Sequence, residues 1–267
     1  DRVVFSRTDD RRIQKLWEIN LDGTELKKLT DGNYDDVDPA YLPDGKVVFG
    51  SMRAAAGTMC ASSLMHRVGP GGASHTNIYR LDPESGDIRR LSYCKDDDCY
   101  PHVLNDGRVV YMRWDSQERG VDEIFSLWAI RPDGTYADGF YRVHIPDSQV
   151  IQALRDARAV PGSTRWITAA GGSHRSGQEG IVMLCDTGAG INNPEGLFMV
   201  TPHASPIARG CGQDLQTVPE GGVPYIGGYT QKPYALSEKS FLTSHGFDMP
   251  QSCNFWVYYM DVWGNKE

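Results

Sequence analysis

Asp38-Pro39-Ala40-Tyr41-Leu42-Pro43-Asp44-Gly45, followed by the apolar run Val47-Val48-Phe49, returns as Tyr100-Pro101-His102-Val103-Leu104-Asn105-Asp106-Gly107 followed by Val109-Val110-Tyr111. Pro falls on Pro and Asp-Gly on Asp-Gly. Asp-Gly between apolar runs is a strong hairpin signal, because Gly accepts the positive φ that a tight turn between twisted strands requires. Aromatic-led strands closing on turns lie between these copies: Leu16-Trp17-Glu18-Ile19-Asn20-Leu21-Asp22-Gly23, Ile78-Tyr79-Arg80-Leu81-Asp82 and Leu127-Trp128-Ala129-Ile130-Arg131-Pro132-Asp133-Gly134. Two weaker copies follow. One is Ala157-Arg158-Ala159-Val160-Pro161-Gly162 with Trp166-Ile167-Thr168, the other Lys232-Pro233-Tyr234-Ala235-Leu236-Ser237 with Phe241-Leu242-Thr243.

A repeat of roughly 40 to 50 residues built from four short strands predicts an all-β protein of the β-propeller class, since a lone four-stranded blade cannot bury its own faces. The repeats place antiparallel blades at 1–30 (partial), 38–92, 100–143, 157–202 and 232–267 (partial), within one propeller domain over 1–267. Asp1-Arg2-Val3-Val4-Phe5-Ser6 reads as the second strand of a blade lacking its first, and Tyr258 to Glu267 stops after a third strand. A ring with open edges at both ends invites aggregation. The chain is therefore expected to be a fragment of a longer polypeptide whose complete ring has about six or seven blades.

With 267 residues and a net charge of -8, the chain lacks the basic excess that nucleic-acid binding calls for. No apolar run approaches the roughly 18 residues that a transmembrane helix needs, so no transmembrane segment is expected. Gly-x-Ser-x-Gly, His-Glu-x-x-His, Gly-x-x-x-x-Gly-Lys and Cys-x-x-Cys-His are all absent, and no complete catalytic constellation emerges.

Loop lengths point to one functional face. The Asp-Gly turns are short, whereas the second-to-third loops and the connections between blades hold the variation: Met52 to Thr76, Asp115 to Ser126, Gly171 to Gly180, His203 to Gln231 and His245 to Asn254. Long loops on a rigid scaffold are where binding is usually placed. This reading brings His66, His75, His174, His203 and His245 to that face, with Cys60, Cys94, Cys99, Cys211 and Cys253; Cys185 reads as a buried thiol. Cys60, His66 and His75 share one loop and supply thiolate and imidazole, ligands for zinc or haem iron, at a spacing that matches no standard zinc finger. Loop packing and surface hydrogen bonding are the plainer role for the three. Cys94 and Cys99 flank Lys95-Asp96-Asp97-Asp98 and are candidates for a small disulfide loop in an oxidising compartment.

The acidic stretches Asp31-Gly32-Asn33-Tyr34-Asp35-Asp36-Val37-Asp38 and Asp96-Asp97-Asp98 invite a calcium reading, but Asp36 stands where a calcium loop needs Gly and Leu42 where it needs Glu. An Asp before Pro that sets a turn is the simpler expectation for Asp38. His102 falls on the strand expected to be innermost, where polar residues line a propeller channel and hold water.

The segment from Leu16 to Thr30 with Asp38 to Phe49 resembles the repeat of TolB-type (PD40-type) propellers. More specific are Tyr100 to Asp115, Leu127-Trp128 through Gly134-Thr135, and Pro233-Tyr234-Ala235-Leu236-Ser237-Glu238-Lys239-Ser240-Phe241-Leu242. These resemble the middle, propeller domain of the hydrazine synthase alpha subunit and its uncharacterised relatives in multihaem or cytochrome-linked proteins. The resemblance implies a periplasmic or extracellular scaffold domain docked against multihaem cytochrome domains or subunits, with c-type haem nearby and a zinc near one haem. If it carries over, Cys60 is a metal ligand, with His66 or His75 as partners. No haem-attachment motif lies in the chain, so c-type haem would come from flanking segments or a partner. Two rivals stand beside this reading: a non-redox TolB-like propeller binding a protein or peptide on its long-loop face, and a hydrolase whose propeller gates a catalytic domain elsewhere.

Overall fold

A computed structural model describes residues 1–53, 75–115, 124–141, 153–171, 181–200, 229–246, 255–263 and 265–267. Among these residues the regular structure is strand, apart from two short 3-10 turns at Thr187–Ala189 and Pro194–Gly196. The chain divides into two compact units, Asp1–Asp115 with Ala129–Asp138, and Ser116–Trp128 with Gly139–Glu267.

In the first unit, β1 (Arg2–Thr8), β2 (Gln14–Asn20) and β3 (Lys27–Lys28) form an antiparallel sheet. A second antiparallel sheet runs β4 (Asp36–Tyr41), β5 (Val47–Ser51), β6 (Asn77–Leu81), β7 (Ile88–Arg90). β8 (Asp97–Val103) pairs antiparallel with β9 (Val109–Asp115). β10 (Ile124–Ile130) and β11 (Asp138–Tyr141) are each split by the division. In the second unit, β12 (Ala153–Ala159), β13 (Trp166–Gly171), β14 (Ile181–Cys185) and β15 (Leu197–Met199) pair in sequence order, as do β16 (Tyr229–Ala235), β17 (Ser240–Gly246) and β18 (Trp256–Asp261).

Sheets stack through apolar side chains that alternate along their strands. Leu16, Val47, Phe49, Tyr79 and Leu81 form one buried cluster, flanked by Val4, Leu29, Tyr41 and Ile88. Val160, Ile167, Val182, Leu184, Val200, Ala235, Phe241 and Met260 form another in the second unit. Central strands such as β5 and β14 are buried at every residue, which is why their sequences are continuous apolar runs rather than alternating ones.

One irregularity recurs in β4, β8, β12 and β16. Asp38 (φ 49°), Tyr100 (φ 53°), Asp156 (φ 51°) and Lys232 (φ 49°) are left-handed. Each sits where the strand slips register against its partner, between Val37 and Ala40, Cys99 and His102, Arg155 and Arg158, and Gln231 and Tyr234. These are β-bulges, in which an extra residue bends the strand and adds twist. Pro39, Pro101 and Pro233 follow three of them, at bulges where a ring without an N–H is tolerated inside a sheet. Asp38 thus does not set a turn, as the Asp-Pro pair suggests; it lies inside β4, because the bulge absorbs the residue that a turn would otherwise use.

The Asp-Gly turns form as expected. Leu42 and Leu104 N–H groups bond the carbonyls of Lys46 and Arg108 at 2.7 and 2.8 Å, closing turns in which Gly45 and Gly107 take φ of 81° and 84°. Asp106 Oδ1 accepts the Arg108 N–H at 3.0 Å. A Cβ on Gly107 would meet nothing within 4 Å, so only the backbone penalises a side chain there. Gly107→Val is expected to cost about 1–2 kcal/mol in urea unfolding, and Gly107→Asn clearly less, because Asn tolerates the left-handed region.

Candidate functional site

The ends of β4 and β5 meet at Asp36, paired with Ser51. Ser51 Oγ donates to Asp36 Oδ1 at 2.5 Å, Arg53 Nη2 donates to the same oxygen at 2.8 Å, and Arg53 Nε donates to Ser51 Oγ at 2.9 Å. Lys15 reaches in from β2, with Nζ 3.5 Å from Asp36 Oδ2 and a bond to the Tyr34 carbonyl. Lys15 and Asp36 are fully buried. Burial pulls the Lys15 ammonium below its usual value, and the Asp36 charge opposes this. The Arg53 guanidinium lies 5.0 Å from the Tyr34 ring, 5.3 Å from Phe49 and 5.1 Å from Tyr79. Aromatic faces suit a weakly hydrated guanidinium.

The same position in β8 and β9 carries Asp98 opposite Arg113. Arg113 Nε and Nη2 donate to the two Asp98 oxygens at 2.7 and 2.9 Å, a bidentate fork. Thr76 ties this pair to β6: its N–H and Oγ1 donate to Asp97 Oδ1 at 2.7 and 2.6 Å, and Oγ1 lies 2.8 Å from the Asp98 carbonyl. Burial raises the Tyr111 phenol and keeps it protonated.

In β16 and β17 the equivalent pair is Thr230 and His245. His245 is fully buried, with Nδ1 2.9 Å from Thr230 Oγ1 and Nε2 3.1 Å from Lys266 Nζ. An ammonium can only donate, so Nε2 accepts and the proton sits on Nδ1. Burial, then the Lys266 charge, push His245 down to about 4. Tyr258 packs edge-on against the ring at 5.8 Å.

These three pairs occupy the strand ends that lead into residues 54–74, 116–123 and 247–254, the segments in which the sequence places its long loops. The pairs themselves were missed in the sequence. Their signal was present as Asp36-Val37-Asp38-Pro39, Asp98-Cys99-Tyr100-Pro101 and Thr230-Gln231-Lys232-Pro233: a polar residue three before the bulge proline.

Cys60, His66, His174, His203, Cys211 and Cys253 lie outside the described residues. His75 is 3% exposed, just before β6. Burial and the Arg90 charge hold it below its ordinary value, against the pull of Asp96 and Asp98. His102 lies in β8, opposite Val110, and is buried. Cys94 and Cys99 are not joined to each other: Cys99 is a buried residue of β8 opposite Met112, while Cys94 precedes the strand and donates to the Trp114 carbonyl at 3.5 Å. Burial, with Asp98 nearby, pushes the Cys94 thiol up to about 12. Cys185 is fully buried at the end of β14. Three carboxylates of the two acidic stretches turn inward, Asp36 and Asp98 to arginines and Asp97 to Thr76, while Asp31 stays exposed beside Lys28. Among the described residues no three His, Cys, Asp or Glu side chains converge as metal ligands, and no helix is long and apolar enough to cross a membrane.

No protein family and no curated protein matches the chain. Solved structures do. Hydrazine synthase of Kuenenia stuttgartiensis superposes with a TM-score of 0.66 at 14% identity, over 99% of this chain and 37% of that one. TolB from Acinetobacter baumannii gives 0.59 at 10% identity, over 99% and 50%. The fold is that of the TolB-like β-propellers. The tricorn protease shares it, at 0.55 and 14% identity over 99% of this chain and 21% of its own. The chain thus spans half or less of the length of these propeller-bearing proteins.

Removing one partner of a buried ion pair strands the other in low dielectric. Asp98→Ala is expected to cost about 3–5 kcal/mol in denaturant unfolding, because Arg113 loses both bonds. His245 is neutral in the fold and titrates from 6.5 when unfolded, so the unfolded chain binds the extra proton between those values. Its contribution is complete above pH 6.5 and is lost as pH falls toward 4, a change of about 3 kcal/mol. His245→Gln should flatten stability across that window, measured by urea unfolding at fixed pH steps.

Proposed function

We propose that this chain is the propeller scaffold of an extracytoplasmic, haem-containing redox assembly, and that it docks its partner at the strand ends leading into the long loops. The observation supporting docking over catalysis is the fate of the charges there. Asp36, Lys15 and Arg53 hold one another, as do Asp98 and Arg113, so these groups fix strand ends and are not poised as acid, base or nucleophile. Strand ends fixed in this way, next to segments whose lengths differ widely in the sequence, suit a binding role.

The haem-bearing partner class is supported by the motifs at Tyr100 to Asp115 and Pro233 to Leu242, together with the likeness to hydrazine synthase along nearly the whole chain. His75 fits a zinc-ligand role in its chemistry, since its environment favours the neutral imidazole that metals require. Cys60 and His66 would complete the set. Zinc bound there would supply a structural crosslink between that loop and the start of β6. The likeness to TolB supports a second reading, a non-redox propeller binding a protein or peptide on the same face.

Natively purified material separates the two. Soret absorbance with about one zinc per chain, lost in Cys60→Ser and His75→Gln variants, is the expected result for the redox scaffold. A colourless, metal-free preparation that still carries a stoichiometric protein partner would replace it with the second reading.

A further inference from the structure

At the opposite ends of β4, β5 and β6 from Asp36, the first unit holds a cleft of about 460 Å³. Arg2 and Glu18 line it from β1 and β2, Tyr41 from the end of β4, and Asp44, Asp82 and Glu84 from the turns after β4 and β6. Lys27 spans from β3 to the second of these turns, donating to the Pro83 carbonyl at 3.1 Å. Arg2 and Glu18 also border a second hollow of about 310 Å³ along Asn20 and Glu25.

Glu18 is the buried charge of the cleft, with a side chain only 7% exposed. A carboxylate so enclosed needs donors. The Tyr41 hydroxyl donates to Oε1 at 2.7 Å and Arg2 Nη1 to Oε2 at 3.1 Å. Burial, then the bond to Glu18, raise the Tyr41 phenol, which stays a donor. Two bonds use about half of the roughly four lone-pair sites of a carboxylate. The Arg2 side chain is 56% exposed and holds Glu18 by a single bond, and an ion pair with one member in solvent is worth little.

The remaining charges around the cleft are unequal in sign. Asp44 and Lys46 satisfy each other, Nζ donating to Oδ2 at 2.9 Å. Asp82 spends Oδ1 on the Glu84 and Ser85 N–H groups at 3.0 and 3.3 Å, while its Oδ2 and the Glu84 carboxylate take no bond among the described residues. Acceptors in excess of donors select a group that only donates. A guanidinium does so through five N–H groups in a planar fork that can reach acceptors on two sides, here β2 and the turn after β6. Arg2 already shows that a guanidinium fits against Glu18.

We propose that this cleft is a binding site for a guanidinium group, with Glu18 as its buried anchor, Asp82 and Glu84 as its second wall, and Arg2 as an internal stand-in that the ligand displaces. The site lies away from the strand ends that lead into the long loops, and it stands whether or not a haem partner docks there.

The test titrates the isotope-labelled chain with N-acetyl-arginine amide, with free arginine, and with the uncharged N-acetyl-citrulline amide, read by the NMR shifts of the Gly45, Glu84 and Ser85 amides. Saturable shifts with arginine and none with citrulline are the expected result. Arg2→Gln, at an exposed position, removes the internal competitor and tightens binding about twofold to fivefold, and Glu84→Gln weakens it by a similar factor. Glu18→Gln weakens it about tenfold or more, and if that variant fails to fold, Glu84→Gln still tests the acidic wall. Tighter binding of free arginine than of the capped form identifies a free amino acid as the source of the group, and the reverse order identifies an arginine side chain of a polypeptide; either order supports the site. No saturable shift with either arginine, equal shifts with citrulline, no weakening by Glu84→Gln, or no tightening by Arg2→Gln overturns the proposal and leaves Arg2, Glu18 and Tyr41 as a structural tie between two sheets.

Discussion

The left-handed residue inside β4, β8, β12 and β16 is the constraint on which the rest of the arrangement depends. An L-residue at positive φ is costly for bulky side chains, yet Asp38, Tyr100, Asp156 and Lys232 all adopt it at the same place. The bulge shifts the register by one residue and bends the strand. Residues before it face their partners in one phase, and residues after it in another. Apolar residues beyond the bulge, such as Ala235, can then enter a core while Thr230 before it meets His245.

That phase change explains why charges are buried at the strand ends. Asp36 and Asp98 lie before their bulges and would be isolated carboxylates inside a sheet without a cation opposite. Arg53 and Arg113 supply it, each from beside the end of a second strand and each with aromatic support, Arg53 among three rings and Arg113 5.6 Å from Tyr111. In the last sheet a neutral solution replaces the ionic one. Thr230 and His245 need no counter-charge, but the histidine must then stay unprotonated beside Lys266.

The fold was legible because its marks are local. Asp-Gly at 44–45 and 106–107, the apolar runs behind them and the prolines at 39, 101 and 233 are short-range features read directly from the chain. The bulges were not, since a proline within a strand reads equally as a turn, and only pairing with β5 reveals that Asp38 lies inside β4. The strand-end pairs were hidden for a related reason: Lys15 lies 21 residues from Asp36, and Arg113 lies 15 from Asp98. Cys99 misled because the acidic run before it looked like a loop, whereas Asp97 and Asp98 open β8 once Thr76 and Arg113 take up their charge.

The Asp98–Arg113 fork has a consequence for how this scaffold can vary. It joins the first residues of β8 to the last residues of β9, which ends at Asp115. The pairing of β8 with β9 is thereby settled without residues 116–123, whose length and composition need not specify it. Closing a longer loop costs only slowly increasing entropy. Such a strand pair can accept insertions of very different size while the framework beneath stays unchanged, which lets recognition diversify without the sheet having to be reinvented.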